Sequence, residues 1–181
     1  FDAQMSLVKA FSLPISDIGR TKAQLSAKIL GAVHRDHDDE FELQLPGTLR
    51  IEKYTEVLNW YKNPLNRDYS KALEIEVAGV PHVFAWGGLH GAIPQYFGEG
   101  YFINVDVASY YPSLMLVYKW LSRNVADPSK YEEIYHTRLK LKAEKNPMQQ
   151  PYKIVLNSTY GAMKDRHNAM YDPRQANNVC V

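Results

Sequence analysis

The hydrophobic period of this chain changes near residue 73, and that change limits what the chain can fold into. Before it, apolar residues recur at helical spacing: Met5, Leu7, Val8, Phe11 and Leu13 form a run that Pro14 stops. At Leu73, Ile75 and Val77 the period becomes two, with Glu74 and Glu76 between them, the pattern of a half-buried strand. Ala78-Gly79 can turn that strand, and Val80 to Trp86 can return as its partner. Helical patterning resumes from Pro112. A pure helical bundle and a pure β-sandwich both disagree with this switch. The expected class is mixed α/β (α+β): a helical N-terminal third, a sheet segment, then helices.

Local signals place the other elements. Thr21 and Gln24 form a capping box, and the helix they open should pass Leu25, Ile29 and Leu30 and end at Gly31. His34 to Glu42 is dense in acid and reads as loop. Tyr54 to Tyr61 reads as a short helix closed by Asn63-Pro64. Gly87 to Gly91 is a glycine-rich stretch, and Tyr101 to Val107 alternates as a second sheet segment. Pro112 to Trp120 should be helical, with the proline in the first turn. Asp127-Pro128 opens a helix running to about Glu144, before Asn146-Pro147 breaks it. Pro151 opens another that ends near Gly161.

Composition removes whole classes. In 181 residues, 45% are hydrophobic and 23% charged, the balance of a folded chain. The single cysteine, Cys180, allows no intrachain disulfide. No apolar run approaches bilayer length, and the N-terminus lacks the layout of a signal peptide, so no membrane partner is expected. Tyr outnumbers Phe by 13 to 6, a surplus suited to a surface that meets bases, sugars or another protein. The chain starts at Phe1 rather than Met and stops at Val181 with no helix stop or polar tail; it is expected to be a piece of a longer polypeptide.

Net charge is only +1, so any basic surface must be local. It is local: Lys130 to Arg166 holds eight cations against four acids. Arg138, Lys142 and Lys145 share one helical face, and Lys153, Asn157 and Tyr160 share another, both at i, i+4, i+7. A solvated basic face is the plainer reading of each; a phosphate-rich partner is the sharper one. Asp106 closes the alternating run Phe102 to Val105, where a carboxylate is held firmly enough to ligate a divalent cation. Capping the next helix is the plainer role open to it. Two cationic ridges facing one strand-end carboxylate would suit a triphosphate and its metal.

Other constellations carry less. His34 and His37 with Asp36, Asp38, Asp39 and Glu40 miss the EF-hand spacing and its glycine, and read as a solvated acidic loop. His90 is read as a backbone or template contact, and Cys180 as a small packing residue.

Asp106-Val107-Ala108-Ser109-Tyr110-Tyr111-Pro112-Ser113 resembles the first polymerase motif of family B DNA polymerases, Asp-x-x-Ser-Leu-Tyr-Pro-Ser. Lys153-Ile154-Val155-Leu156-Asn157-Ser158-Thr159-Tyr160-Gly161 resembles their second, Lys-x-x-x-Asn-Ser-x-Tyr-Gly, in the family's order. Arg138 and Lys142 match the Arg-x-x-x-Lys of the first fingers helix. Gly87-Gly88 resembles the template-contact motif Tyr-x-Gly-Gly, with Ala85 where the tyrosine would stand. The run Gly87 to Gly91 is similar to polymerases of bacterial phages and prophages. The resemblance is strong over residues 73–164 and only general over 1–72.

The resemblance implies a division of the chain. Residues 1–72 would be a helical linker, 73–122 a portion of the palm, 123–163 an antiparallel fingers hairpin, and 164–181 the start of the return to the palm. It also implies roles. Asp106 and the Val107 carbonyl would bind the magnesium ions of a two-ion site, with Asp106 as the catalytic residue. Tyr111 would lie under the sugar of the incoming nucleotide and exclude a 2′-hydroxyl. Arg138, Lys142 and Lys153 would hold the triphosphate, and Asn157 the sugar or triphosphate. Tyr160 and Gly161 would sit against the nascent base pair, and Gly87 and Gly88 against the template. The reaction implied is attack of a primer 3′-hydroxyl on the α-phosphate of a deoxynucleoside triphosphate with loss of pyrophosphate. Primer-template DNA and the remainder of a polymerase chain would be the partners, and the cytoplasm of a bacterial host the place. The third motif, an Asp-Thr-Asp core on a hairpin, does not occur before Val181, so 1–181 alone is expected to be nearly inactive. A nucleic-acid-binding relic without catalysis is the alternative.

Overall fold

The computed structural model describes residues 2–181 and has the mixed α/β architecture expected. Three helices come first: α1 (Asp2–Ala10), α2 (Lys22–Ile29) and α3 (Tyr54–Lys62). The capping box at α2 forms, with Thr21 Oγ1 accepting from Gln24 N at 3.1 Å and Gln24 Oε1 accepting from Thr21 N at 3.0 Å. Gly31 follows the helix at φ +65°, the left-handed conformation that ends helices cheaply.

A three-stranded antiparallel sheet follows, made of β1 (Ala72–Val77), β2 (Val80–Ala85) and β3 (Gly88–Gly91) in that order. Val77 pairs with Val80, so the β1–β2 connection has two residues. Both, Ala78 and Gly79, have positive φ, as the tight turn matching strand twist requires. The glycine-rich stretch is therefore partly a strand, with Phe84 opposite Leu89.

The remaining helices are α4 (Tyr110–Val117), α5 (Ser129–Ala143), α6 (Gln149–Lys164) and α7 (Pro173–Cys180). Among the described residues no helix is long and apolar enough to cross a membrane. Helix α6 lies between α2 and α5 and buries Val155, Leu156, Thr159, Ala162 and Met163. Tyr131 Oη of α5 donates to the Leu156 carbonyl at 3.1 Å, which pins the two helices together.

The apolar interior has two parts. The larger gathers Leu7, Leu25, Met115, Tyr131, Ile134, Leu156 and Met163 from the helices, with Met170 from the turn after α6. The smaller sits under the sheet, where Val57 and Tyr61 of α3 meet Trp86, with Leu73, Ile75 and Phe84 against them. Trp86 is fully buried; its Nε1 donates to the Asn66 carbonyl at 2.7 Å.

Two expectations are corrected. Tyr101 to Val107 is not a strand: it joins no sheet, and Tyr101, Phe102, Ile103 and Val105 are all exposed. Alternation creates two faces, but a strand also needs a neighbour for its N–H and C=O groups. Neither edge of the sheet, β1 or β3, pairs with this segment. The acidic loop is not merely solvated either. Asp39 accepts from Arg123 at 2.8 Å and from Arg174 at 2.9 Å, while Asp172, fully buried, takes Arg123 from the other side. His37 meets Asn124 Oδ1 at 2.9 Å.

Candidate functional site

Two of the sequence motifs converge on one open cleft of about 740 Å³. Its lining includes Gly87, Gly88 and His90, Tyr110, Tyr111 and Leu114 of α4, and Asn178 to Val181. The two glycines differ. A Cβ at Gly87 would meet nothing, whereas Gly88 has φ +121° and a Cβ there would come within 3.2 Å of the Cys180 carbonyl. Gly88 is thus required by the chain's own packing against α7.

Tyr111 is half-buried, and its ring lies 4.6 Å from that of Tyr160 on α6, at 61°. Burial pushes the Tyr111 phenol above its ordinary range. Burial and the neighbouring Cys180 thiol push Tyr160 further up. Neither phenol ionises near neutral pH.

Arg138 is the most informative cation. It is 8% exposed, and no carboxylate pairs with it among the described residues. Its Nη1 donates to Ser109 Oγ at 3.0 Å and its Nε to Gln149 Oε1 at 3.3 Å. One guanidinium therefore links α5, α6 and the turn that carries the first motif. Ser109 holds φ +51°, a conformation that costs a non-glycine residue about 1 kcal/mol. A nearly buried cation held only by neutral groups is expensive unless an anion completes it.

The other site residues lie more openly. Lys142 is exposed on α5, and Lys145 falls beyond the end of that helix at φ +53°, so the basic ridge there is Arg138 and Lys142 alone. On α6, Lys153, Asn157 and Gly161 are exposed and Tyr160 half-buried, in the line the spacing gives. A Cβ on Gly161 would meet nothing. A mid-helix glycine costs about 1 kcal/mol relative to alanine, and no internal contact requires this one.

Asp106 and Val107 stand in the exposed segment before α4. Among the described residues no group of three or more acids, histidines or cysteines could hold a metal. Asp106 is the one carboxylate of the first motif, and it lies in this exposed segment.

Several site residues carry no local signal in the sequence. Cys180 forms part of the cleft wall, and its Sγ donates to the Trp86 carbonyl at 3.2 Å. Asn178 is held by the Gln44 amide at 2.8 Å. Gln149 alone is within reach of sequence reasoning, because it lies one helical turn before Lys153 on the α6 line.

Comparison with known proteins gives one short similarity. Over 33 residues the chain is 52% identical to a DNA polymerase of the Acidianus bottle-shaped virus (isolate Italy/Pozzuoli). The matched stretch is 18% of this chain and 5% of that polymerase's length. No protein-family model and no solved structure matches the chain.

Proposed function

We propose that this chain carries the nucleotide-binding part of a template-directed DNA polymerase of family B type. Residues 73–122 would be the palm portion and 123–163 the fingers helices. The similarity to a viral DNA polymerase supports polymerase ancestry. The observation that carries the reading is Arg138: a nearly buried guanidinium with no carboxylate partner among the described residues, hydrogen-bonded to Ser109, three residues after Asp106. It awaits an anion, and a nucleoside triphosphate supplies one.

On this reading Arg138, Lys142 and Lys153 bind the phosphates, and Asn157 meets the sugar or triphosphate. The Tyr111 ring packs under a deoxyribose and leaves no room for a 2′-oxygen. Tyr160, held against Tyr111, and Gly161 form the floor for the nascent pair, with Gly87 on the template side. Asp106 and Val107 are this chain's contribution to a magnesium site. The polymerase relative comes from a virus of an archaeon, so the proposal places the work in the cytoplasm of an infected cell without requiring a bacterial host.

The test is calorimetric titration of the chain with dATP and with ATP. Binding of dATP should be the tighter. Arg138→Ala should weaken it about 30-fold, the equivalent of the roughly 2 kcal/mol typical of a charge-assisted hydrogen bond. Tyr111→Ala should narrow the gap between dATP and ATP. Unchanged dATP affinity in Arg138→Ala would defeat the proposal. Primer extension by residues 1–181 should be negligible, because the acidic cluster is incomplete. Binding of DNA without any binding of nucleotide would instead favour a non-catalytic relic.

A further inference from the structure

A second groove, of about 570 Å³, lies at the C-terminal end of α6, lined by residues that include Glu40, Arg67, Tyr69, Lys164, Arg166 and Asn177. Arg67, Lys164 and Arg166 are exposed and form no ion pair among the described residues. The two acids on the groove are already engaged by neutral donors. Glu40 accepts from Tyr69 Oη at 2.7 Å, and Asp68 accepts from the Ser70 amide at 2.8 Å and hydroxyl at 2.7 Å. Asn177, 1% exposed, donates to the Glu40 carbonyl and to Tyr69, while its Oδ1 has no partner among the described residues.

This groove continues the α6 line. Lys153, Asn157 and Tyr160 are followed at the next turn by Lys164, whose Nζ lies 5.6 Å from the centre of the Tyr160 ring. From Lys153 to Lys164 the helix rises about 16 Å. The spacing joins one cationic end, where the nucleotide is placed, to a second cationic end where nothing in the proposed reaction has a role. Between them stand the aromatic Tyr160 and the open position at Gly161. Free cations spaced along a track with an aromatic ring are the means by which proteins hold an unpaired nucleic-acid strand.

We propose that Arg67, Lys164 and Arg166 bind the sugar–phosphate backbone of a single DNA strand that leaves the Tyr160–Gly161 position along this groove. The inference rests on the reading of α6 as the nucleotide-facing helix. All three side chains are exposed, so their removal leaves both cores intact.

The experiment measures fluorescence anisotropy of a labelled oligo-dT of about 20 nucleotides, long enough to span a single-strand site, with the full chain over a series of salt concentrations. It compares the wild type with the triple variant Arg67→Ala, Lys164→Ala, Arg166→Ala and with the control Lys22→Ala, on the exposed start of α2. Each phosphate contact on a single strand contributes about 0.7 to the slope of log affinity against log salt. The triple variant should lose about 2 from that slope and roughly tenfold or more in affinity at low salt, while dATP affinity and the control stay as in wild type. Wild-type slope and affinity in the triple variant would overturn the proposal, as would a wild type that does not bind the oligonucleotide. Failure of dATP to bind, with the slope still falling in the triple variant, would sink the nucleotide reading and leave the groove standing as a DNA site.

Discussion

The two motif-bearing segments differ in how they are held. Helix α6 is packed on two sides, with Val155, Ala162 and Met163 fully buried. The segment Tyr101–Val107 leads to Asp106 with Ile103 87% and Val105 85% exposed and no neighbouring strand. The helix carries its own support: its backbone bonds are internal, and only its apolar stripe needs partners. The extended segment carries none. The residues of the α6 line therefore come preorganised, whereas Asp106 stands in a segment with little packing of its own.

The sharpest way to break this contrast is a matched pair of truncations. Leu156→Ala should cost about 2–5 kcal/mol of unfolding free energy, because it empties a filled site in the main core. Ile103→Ala should change stability by no more than about 0.5 kcal/mol. Denaturant unfolding measures both, and hydrogen exchange gives the same comparison amide by amide, with residues 101–107 exchanging far faster than 155–163. Equal costs, or protection at Val105, would mean that the extended segment is supported after all.

A smaller effect sharpens the comparison. Gly161→Ala should raise stability by up to about 1 kcal/mol, since the helix gains propensity and the new methyl meets nothing. The same variant should bind dATP or DNA less well. Higher Tm with unaltered binding would show that no outside group needs the glycine's close approach.

The smallest effect concerns the ionic knot. Hydrogen bonds and charge from Arg123, with charge from Arg174, hold the Asp39 carboxyl down at about 2 despite partial burial. A lowered carboxyl contributes stability above its ordinary range, and that contribution is lost as pH falls from about 4 toward 2. Asp39→Asn should show a modest Tm deficit at about pH 7 that closes across that window. A deficit independent of pH would assign it to packing.

These contrasts also explain what is legible in the sequence. The Thr21 capping box, the two-residue turn at Ala78-Gly79 and the proline-opened helices each depend on neighbours within a helical turn or a tight turn, so local pattern reveals them. The α6 line is legible for the same reason. Alternation in Tyr101–Val107 shows two faces but does not make a strand, because pairing is decided by another segment. Arg123 joins Asp39 across 84 residues, and Gln44 meets Asn178 across 134, with nothing local to mark either. The cleft wall made by Cys180 belongs to this second kind.

Trp86 anchors the glycine wall to the smaller core, while Tyr111 belongs to the rim of the larger one. The thiol of Cys180, reaching the Trp86 carbonyl, bridges the jaws. Aperture is thus a property of how two separately filled interiors are registered, as in a caliper. On the proposed reading, sugar discrimination can be retuned from α7, by lengthening or shortening one buried side chain there, with the tyrosine left untouched.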